Sequence, residues 1–463
     1  MMSFQENSQR ALNNPNLQAA HQRATAHYFK ARERSTQGLD LETLREDCRK
    51  IRQDSLDHLD RYLLQFEEAF QKGGGIVLWA QDAEQARELV LQICREHGVR
   101  KVVKGKSMVT EEIELNAFLE KNGIGAMETD LGEYIVQLAG EKPSHLTAPA
   151  IHKTREQIAT LFHEKLGAPP GLNPEQLVEV ARVRLRDQFF KAEAGITGAN
   201  FLIAETGALI LVENEGNIGM STTTPPIHIA VVGMEKVIPR TQDLALLLRV
   251  LARSATGQKM TSYVSLIQHA SEHCVKRFVI LLDNGRSQML ADPKMQAALR
   301  CIHCGACLNV CPIYQRAGGH SYNSIYPGPI GAIWSPLLFD TPEAQELPFA
   351  SSLCGACAEV CPVKIPMPHL FLELRRRWAQ KRTGLNLHLE NVEKTIFSSW
   401  AFLAKSPFLY RAALETVATA QKWFPWSGSI LKRFPILSRW AEKRGMPQFS
   451  SPSFTEWWKK REL

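Results

Sequence analysis

The cysteines of this chain are concentrated in one short region. Seven of the ten fall in the 61 residues from Cys301 to Cys361. The first four form the run C-x2-C-x2-C-x3-C-P, at Cys301, Cys304, Cys307 and Cys311. Gaps of two residues let one tight loop direct three thiolates at a single metal cluster, and the fourth cysteine of such a run ligates another cluster where two are present. The spacing therefore predicts cubane iron–sulfur clusters and requires this part of the chain to wrap around them.

A second and shorter motif follows the first. Its cysteines precede Pro362 in the order C-x2-C-x3-C, and Ser351 stands where a further cysteine would complete the run. Exchange of the last cysteine between motifs gives one cluster four thiolates and the other three. The predicted ligands are Cys301, Cys304, Cys307 and Cys361 for the first cluster, and Cys311, Cys354 and Cys357 for the second. We therefore expect two [4Fe-4S] clusters, with one ligand of the second left unassigned.

The second site has three explanations. A residue other than cysteine could complete it, with Ser351 or Ser352 close in sequence and His320 or His369 more distant. The site could instead hold a [3Fe-4S] cluster, or a cluster with a labile iron exposed to a partner or substrate. Cys274 could also reach it, although its spacing does not favour this. Zinc is the alternative metal for paired C-x2-C motifs, but the three-residue gap before proline in both motifs favours iron–sulfur clusters.

Hydrophobicity and charge restrict where the chain works. It has no apolar run long enough to span a membrane, and its polar start lacks the apolar core of a secretion signal. A cytoplasmic location is therefore expected, and the reducing cytosol suits thiolate ligands. Residues 379–463 contain 14 Lys and Arg but only 6 Asp and Glu. This basic segment could meet an acidic partner or the surface of an anionic membrane, or it could simply be solvated.

The hydrophobic pattern divides the chain into four regions. Strands are predicted at 76–79, 99–103, 124–128, 200–204, 208–212, 227–232 and 278–282, and helices at 82–97, 110–121 and 243–252. This alternation predicts an α/β unit with a largely parallel sheet. The predicted domains are a helical segment at 1–70, the α/β domain at 71–295, an all-α cysteine domain at 296–378, and a basic, tryptophan-rich helical segment at 379–463.

Polar residues near the predicted strand ends have two interpretations. The segments 205–207 and 214–217, with Lys104, Lys106 and Ser107, could form a pocket for a substrate or anion, because open α/β sheets bind ligands at strand ends. They could equally be turn residues. His303, inside the first cysteine loop, is expected to adjust a cluster's potential rather than to ligate it. The arginines at 375–377 could form a docking face or a solvated helix surface.

Six distinctive segments occur in one order along the chain. They are Lys104-Gly-Lys-Ser-Met108, Glu128-Thr-Asp-Leu-Gly-Glu133, Ile196-Thr-Gly-Ala-Asn200, Glu205-Thr-Gly207, Asn214-Glu-Gly-Asn217 and Ser351-Ser-Leu-Cys-Gly-Ala-Cys357. In these segments the chain resembles the lactate utilisation protein B family over nearly its whole length. Ser351 belongs to the resemblance, which implies that the family also lacks a cysteine there.

The resemblance implies both a fold and a function. The α/β region is similar to a LUD domain, a fold like that of the NagB/RpiA/CoA-transferase group, and the cysteine region is similar to an α-helical ferredoxin. The family is expected to work with a cysteine-rich iron–sulfur partner and a smaller LUD-domain protein. Together they oxidise L-lactate to pyruvate, and this component relays the electrons. The final redox partner, a quinone pool or another acceptor, stays open.

Three functions from different classes remain. The first is an electron-transfer subunit of a lactate-oxidising complex. The second is a self-sufficient enzyme that holds its substrate in the LUD-like pocket and uses the three-cysteine cluster as a Lewis acid. The third is a cluster-containing regulator whose basic tail binds nucleic acid, but the tail has no recognised binding motif, so nucleic acid is not expected as a partner. No G-x-G-x-x-G turn follows a strand and no P-loop occurs, so no nicotinamide or flavin site is inferred.

Overall fold

The computed structural model describes residues 3–269, 273–382, 387–423 and 454–461. The chain forms two compact units, one ending at Trp378 and the other beginning at Ala379. Within the described residues, no helix is both long and apolar enough to cross a membrane. The first unit contains the α/β layers, the cysteine loops and the N-terminal helices that pack on both.

Helices open the chain, as the apolar spacing predicts. They are α1 (Phe4–Leu12), α2 (Pro15–Thr36), α3 (Leu41–Asp57) and α4 (Leu59–Lys72). The first three begin after Ser3, Asn14 and Asp40, whose side chains each accept a backbone N–H of the first helical turn. The last helix buries Phe66 and Phe70 completely. The amphipathic pattern at the start of the chain therefore reflects real packing.

Two sheets form the centre of the α/β region. Their strands are β1 (Ile76–Ala80), β2 (Lys101–Lys104), β3 (Gly125–Glu128), β4 (Ala194–Thr197), β5 (Phe201–Ile203), β6 (Ala208–Glu213), β7 (Ile227–Gly233), β8 (Val237–Ile238), β9 (Tyr263–Ile267) and β10 (Lys276–Leu282). The first sheet has the order β1-β10-β7-β4-β2-β3, with every neighbour parallel. The second has the order β8-β5-β6-β9, with β5 and β6 antiparallel. The parallel α/β sheet and the β5–β6 turn are both confirmed.

Helices connect and cover these strands. They are α5 (Ala83–Glu96), α6 (Met108–Glu112), α7 (Leu115–Lys121), α8 (Leu131–Ala139), α9 (Arg155–Leu166), α10 (Pro174–Lys191), α11 (Asn217–Thr223), α12 (Thr241–Ala255) and α13 (Arg286–Ala291). The single helix predicted over 110–121 is wrong, because Glu114 takes a left-handed φ of 50° and separates α6 from α7. The break lets Ile113 and Leu115 both be fully buried.

The cysteine region contains helices and loops, and no strand is assigned in its described residues. The helices are α14 (Ala306–Val310), α15 (Pro312–Ala317), α16 (Gly328–Leu338), α17 (Pro342–Glu346), α18 (Ala356–Val360) and α19 (Met367–Arg382). Short 3-10 turns lie at Gln296–Arg300, His320–Tyr322 and Leu347–Phe349. The predicted all-α character is confirmed. In the second unit, the helices described are α20 (Leu387–Lys405), α21 (Pro407–Trp423) and α22 (Phe454–Lys459).

A buried charge network joins the α/β layers to the cysteine region. The Arg286 guanidinium is fully buried and donates hydrogen bonds to Glu112 at 2.8 and 2.9 Å and to Glu235 at 2.6 Å. The Tyr326 hydroxyl, from the loop between the cysteine motifs, donates to Glu112 at 2.6 Å. Arg52 of α3 is also fully buried and donates to four backbone carbonyls, including those of residues 237 and 299. Helix α3, the α/β layers and the loop between the cysteine motifs are thus held together by buried charged groups.

Substitution Arg286→Met should destabilise the first unit. It leaves the carboxylate of Glu112 buried without its countercharge and that of Glu235 with Lys236, 3.8 Å away, as its remaining ion-pair contact, which costs about 3–5 kcal/mol. We expect the midpoint of thermal unfolding to fall by several degrees in anaerobic samples of equal iron content. The control is Arg182→Met, which removes an exposed ion pair with Glu179 and should change the midpoint little. Equal midpoints for the two variants would contradict the role given to the network.

Candidate metal centre

The two cysteine motifs adopt the same local structure. Gly305 and Gly355 take left-handed φ angles of 75° and 86°, and a short helix follows each glycine. This conformation is accessible to glycine at little cost, and it turns the loop back between the second and third cysteines of the run. The two short helices, α14 and α18, pack against each other. The paired motifs are therefore brought face to face.

Each motif ends in a cysteine whose sulfur accepts a backbone hydrogen bond. The Tyr314 N–H donates to Cys311 Sγ at 3.5 Å, and the Ile365 N–H donates to Cys361 Sγ at 3.4 Å. Such N–H donors favour the thiolate form of cysteine. In both cases the proline after the cysteine starts a new turn, and α15 begins at Pro312. The spacing that the two motifs share therefore gives their last cysteines equivalent sulfur environments.

Four cysteines line one cavity. They are Cys301, Cys304, Cys307 and Cys361, and apolar side chains that include Ile302, Ile330, Val363, Ile365 and Met367 enclose them. Burial raises the pKa of the Cys304 thiol to about 12, and the nearby Cys361 sulfur adds to the effect. Thiols held this way ionise only when a cation compensates them, which is what an iron cluster does. The donor set and its dry surroundings fit a cluster with four thiolate ligands.

The other three cysteines lie together beside this cavity. Burial, followed by the sulfurs of Cys311 and Cys354, raises the pKa of the Cys357 thiol to about 12. Cys354 is exposed, whereas the other two are buried. The Tyr322 hydroxyl is buried and has no hydrogen-bond partner among the described residues. Burial raises the pKa of Tyr322, with the Cys311 sulfur as a further cause. A sulfide-bearing cluster would supply the acceptor that this hydroxyl lacks.

Several residues considered as a fourth ligand have other contacts. The Ser351 hydroxyl accepts a hydrogen bond from the Leu353 N–H at 3.2 Å. His320 contacts the carbonyl of residue 142 at 2.7 Å and packs on His152, with ring centroids 4.4 Å apart. Cys274 is buried just before β10 and contacts the carbonyl of residue 276. His320 and Cys274 are therefore engaged in other parts of the first unit.

Basic residues from the N-terminal helices hold the second motif. Arg45 of α3 donates to the carbonyls of Cys361 at 2.9 Å and Ala358 at 3.1 Å. Arg32 of α2 donates to the carbonyl of Val360 at 3.3 Å. Sequence reasoning missed both arginines, because more than 300 residues separate them from their partners and no local pattern marks them.

The arginines after the second motif are engaged within the first unit. Arg375 donates to the carbonyl of Pro348 at 3.0 Å and to that of Ser351 at 2.7 Å. Arg376 and Arg377 both donate to Glu373 of the same helix. Arg375 therefore fixes the loop that leads into the second motif. This structural role explains the presence of Arg375 without a docking face for a partner.

A polar cavity of about 270 Å³ lies next to the first cysteine loop. Its lining includes Lys106, Ser107, Asn214, Glu215 and Asn217. Lys104, in contrast, is fully buried and pairs with Glu111 at 2.9 Å and with Glu128 at 2.7 Å. Its proposed role as an anion ligand is therefore wrong.

Two further residues singled out in the sequence have defined positions. Glu205 accepts hydrogen bonds from the backbone and hydroxyl of Thr241 at the start of α12, so it acts in a turn and helix cap. His303 lines the polar cavity, and its Nδ1 lies 3.2 Å from Lys236 Nζ. Burial, and next the Lys236 charge, lower the pKa of His303 well below its ordinary value. The first cysteine loop therefore presents a neutral imidazole to the cavity.

Three family models match successive parts of the chain. The LUD domain matches residues 63–285, the 4Fe-4S dicluster domain matches 297–365, and the C-terminal region of lactate utilisation protein B matches 374–463. The lactate utilization protein B of Bacillus pumilus strain SAFR-032 is 43% identical over 426 residues, covering 91% of this chain and 89% of that protein. The chain belongs to the lactate utilisation protein B family. The predicted family resemblance is thereby confirmed.

Other relatives extend the comparison. The protein of that name from Oceanobacillus iheyensis is 40% identical and covers 99% of this chain and 96% of its own. A protein of Escherichia coli strain K12 named "Uncharacterized electron transport protein YkgF" is 43% identical, covering 91% of this chain and 88% of its own. The crystal structure of a DUF162 family protein from Deinococcus radiodurans aligns with a TM-score of 0.29 at 16% identity, over 48% of this chain and 98% of that one.

Substitution Arg375→Lys should lower the iron content of the chain. Lysine keeps the charge but cannot donate along both directions that the guanidinium uses, so the loop before Cys354 loses one anchor. We expect iron per chain, measured after anaerobic purification, to fall by roughly a third to a half, since one cluster holds about half of the iron. Arg376→Lys, one residue along the same helix, is the matched control and should keep its iron. Equal iron in both variants would refute an anchoring role for Arg375.

Proposed function

We propose that this chain is an iron–sulfur electron-transfer subunit of a complex that oxidises L-lactate to pyruvate. One observation carries the proposal: seven cysteines gather as a set of four around one apolar cavity and a set of three beside it. The names of the relatives refer to lactate utilization and to electron transport, and they indicate the process in which we place this chain. A dicluster protein of this family is suited to passing electrons rather than to forming bonds in a substrate.

The crossed ligand assignment is part of this proposal. Cys301, Cys304, Cys307 and Cys361 would hold the first [4Fe-4S] cluster, and Cys311, Cys354 and Cys357 the second, as a [4Fe-4S] cluster with another ligand or as a [3Fe-4S] cluster. The shared cavity supports the first set, and the effect of the Cys311 and Cys354 sulfurs on the pKa of Cys357 supports the second. Each cluster, when bound, exchanges one electron at a time. Oxidation of lactate releases two electrons and two protons, so both electrons can leave in single steps.

The residues around the cysteines favour this role. The His303 N–H donates to Cys301 Sγ at 3.3 Å, and hydrogen bonds to cluster sulfurs raise the reduction potential. The apolar residues around the first set exclude water, whereas Cys354 of the second set is exposed. An exposed ligand brings one end of a relay within reach of a partner's redox centre. We therefore assign the second site to the exchange of electrons with another protein.

The partners are proposed from the family resemblance. They are a cysteine-rich iron–sulfur protein and a smaller LUD-domain protein, and a cytoplasmic location belongs to the same proposal. The described part of the second unit presents large apolar side chains to its surface, among them Phe397, Trp400, Phe402 and Phe408. Exposed aromatic residues of this kind are typical of protein interfaces. They support a protein contact for this unit, and a basic segment could also contact an anionic membrane.

The crossed assignment predicts different effects for two cysteine variants. Wild-type protein should contain about seven to eight irons per chain. Cys361→Ala removes a ligand of the four-cysteine site and should change or abolish the signal of that cluster by electron paramagnetic resonance, whereas the signal of the three-cysteine site should remain. Cys311→Ala should leave the complete cluster intact. Cys94→Ala, which removes a buried thiol of α5, is the matched control. The opposite pattern for the first two variants would establish uncrossed ligation, and zinc in place of iron would overturn the cluster proposal.

Lactate-dependent reduction tests the relay itself. The chain is mixed with the cysteine-rich partner and the smaller LUD-domain protein, and cluster reduction by L-lactate is followed by loss of visible absorption. We expect reduction only in the complete mixture and its loss with Cys361→Ala, because that variant lacks a complete first ligand set. Lactate oxidation that proceeds equally well without this chain would contradict the proposal.

A self-sufficient enzyme is the second candidate function. The observation in its favour is the polar cavity beside the first cysteine loop, since Ile302 lines both that cavity and the cysteine cavity. The same experiment separates the two functions. Reduction by L-lactate of the purified chain alone would support the self-sufficient enzyme and reject the requirement for partners.

A further inference from the structure

The polar cavity next to the first cysteine loop is built from distant parts of the first unit. Lys106 and Ser107 come from the turn after β2, Asn217 from the start of α11, Lys236 from the turn before β8, and Ile302 from the cysteine loop. Its volume of about 270 Å³ leaves room for a small organic molecule. The mixture of charged and apolar side chains is that of a ligand site.

The carboxylates that line the cavity are already hydrogen-bonded to the backbone. Asp130 accepts from the N–H of residue 133 at 3.1 Å, and Glu215 accepts from the N–H of residue 131 at 3.1 Å. Glu213 accepts two N–H groups at the start of α11, at 2.6 and 2.8 Å. Burial and the neighbouring Asp130 raise the pKa of Glu215 to about 7, so this group is only partly charged at neutral pH. These hydrogen bonds hold the acids in the cavity wall, and the ion-pair contacts of the cavity lysines are instead with Glu133 and Glu235.

The two lysines of the cavity lack a carboxylate at hydrogen-bond distance. Lys106 Nζ is buried and has no hydrogen-bond partner among the described residues, and its nearest ion-pair contact is Glu133 at 4.0 Å. Lys236 Nζ lies 3.8 Å from Glu235 Oε1 and 3.2 Å from His303 Nδ1, while the other Glu235 oxygen, Oε2, accepts from Arg286. Buried ammonium groups need acceptors, because desolvation without compensation is costly. The cavity is therefore short of negative charge at these two nitrogens.

Other donors and the cysteine loop complete the site. The Asn200 side-chain oxygen accepts from the N–H of residue 212 at 2.9 Å, so its amide nitrogen remains as a donor for a ligand. Ile302 lines this cavity on one side and the four-cysteine cavity on the other. A molecule bound here would be separated from the first cysteine set by a single residue of the chain.

We infer that this cavity binds a small organic carboxylate, with its charged group on the ammonium groups of Lys106 and Lys236 and its remaining polar oxygen near the Asn200 amide. Lysine, as a compact point charge with three donors, suits a carboxylate that need not be bound in a bidentate manner. The site itself rests on the cavity and on two ammonium groups that have no carboxylate at hydrogen-bond distance. The choice of L-lactate and pyruvate as probes rests on the proposed function.

Calorimetric titration of the full-length, cluster-loaded, oxidised protein tests the inference. L-lactate and pyruvate are titrated separately under anaerobic conditions. Substitution Lys106→Met removes a charge-assisted hydrogen bond and should weaken binding by about tenfold to a hundredfold. Lys121→Met, which removes an exposed lysine of the same domain, is the matched control and should bind as wild type does. Binding should also alter the paramagnetic resonance spectrum of the first cluster after chemical reduction.

A second variant guards against a simple loss of folding. Ala255→Leu fills part of the cavity from the end of α12 without changing any charge, and it should also weaken binding while iron content is kept. Absence of binding to wild-type protein at millimolar ligand, or equal affinity in Lys106→Met and wild type, would overturn the inference. Displacement of the carboxylates by an equal concentration of inorganic phosphate would overturn the carboxylate assignment. The titration uses no electron donor or partner, so failure of the relay in the lactate experiment leaves this result independent.

Discussion

The arrangement of this molecule depends on a charge network that is removed from water. Arg286 joins the carboxylates of Glu112 and Glu235, and the Tyr326 hydroxyl reaches the same Glu112 from the loop between the cysteine motifs. A buried pair loses several kcal/mol when one partner is taken away, because the remaining charge stays desolvated. The network therefore allows few other arrangements of the elements that carry its charged groups. It sets the cysteine region against the sheet, and Lys236, the neighbour of Glu235, is carried to the wall of the polar cavity.

The arrangement of the cysteines depends both on the local structure of each motif and on contacts with distant parts of the chain. Within each motif, a left-handed glycine and a short helix place the sulfurs with little help from the rest of the chain. The relation of one motif to the other is decided elsewhere, by the contact of α14 with α18 and by Arg45, which binds the second motif from an N-terminal helix. The N-terminal helices therefore help to hold the second motif in place.

The position of the polar cavity connects the two halves of the first unit. Its wall includes polar residues of the LUD domain on one side and the loop of Ile302 and His303 on the other. Because Ile302 also faces the first cysteine set, a ligand there would lie close to an electron acceptor or donor. The exposed Cys354 lies in the other cysteine set. The first cysteine set is thus enclosed and the second has an accessible member, an arrangement that suits the proposed relay.

Sequence alone determined the metal chemistry, the parallel α/β sheet and the helical surroundings of the cysteines, because these depend on spacing and periodicity among neighbouring residues. It did not distinguish Lys104 from Lys106. Lys104 ends β2 opposite Glu128 of β3 and is buried by that register, whereas Lys106 follows the strand and reaches the cavity. Nor could it show the break at Glu114. These features were decided by tertiary structure, because burial and ion pairing depend on side chains that approach one another only after the sheets and helices have packed.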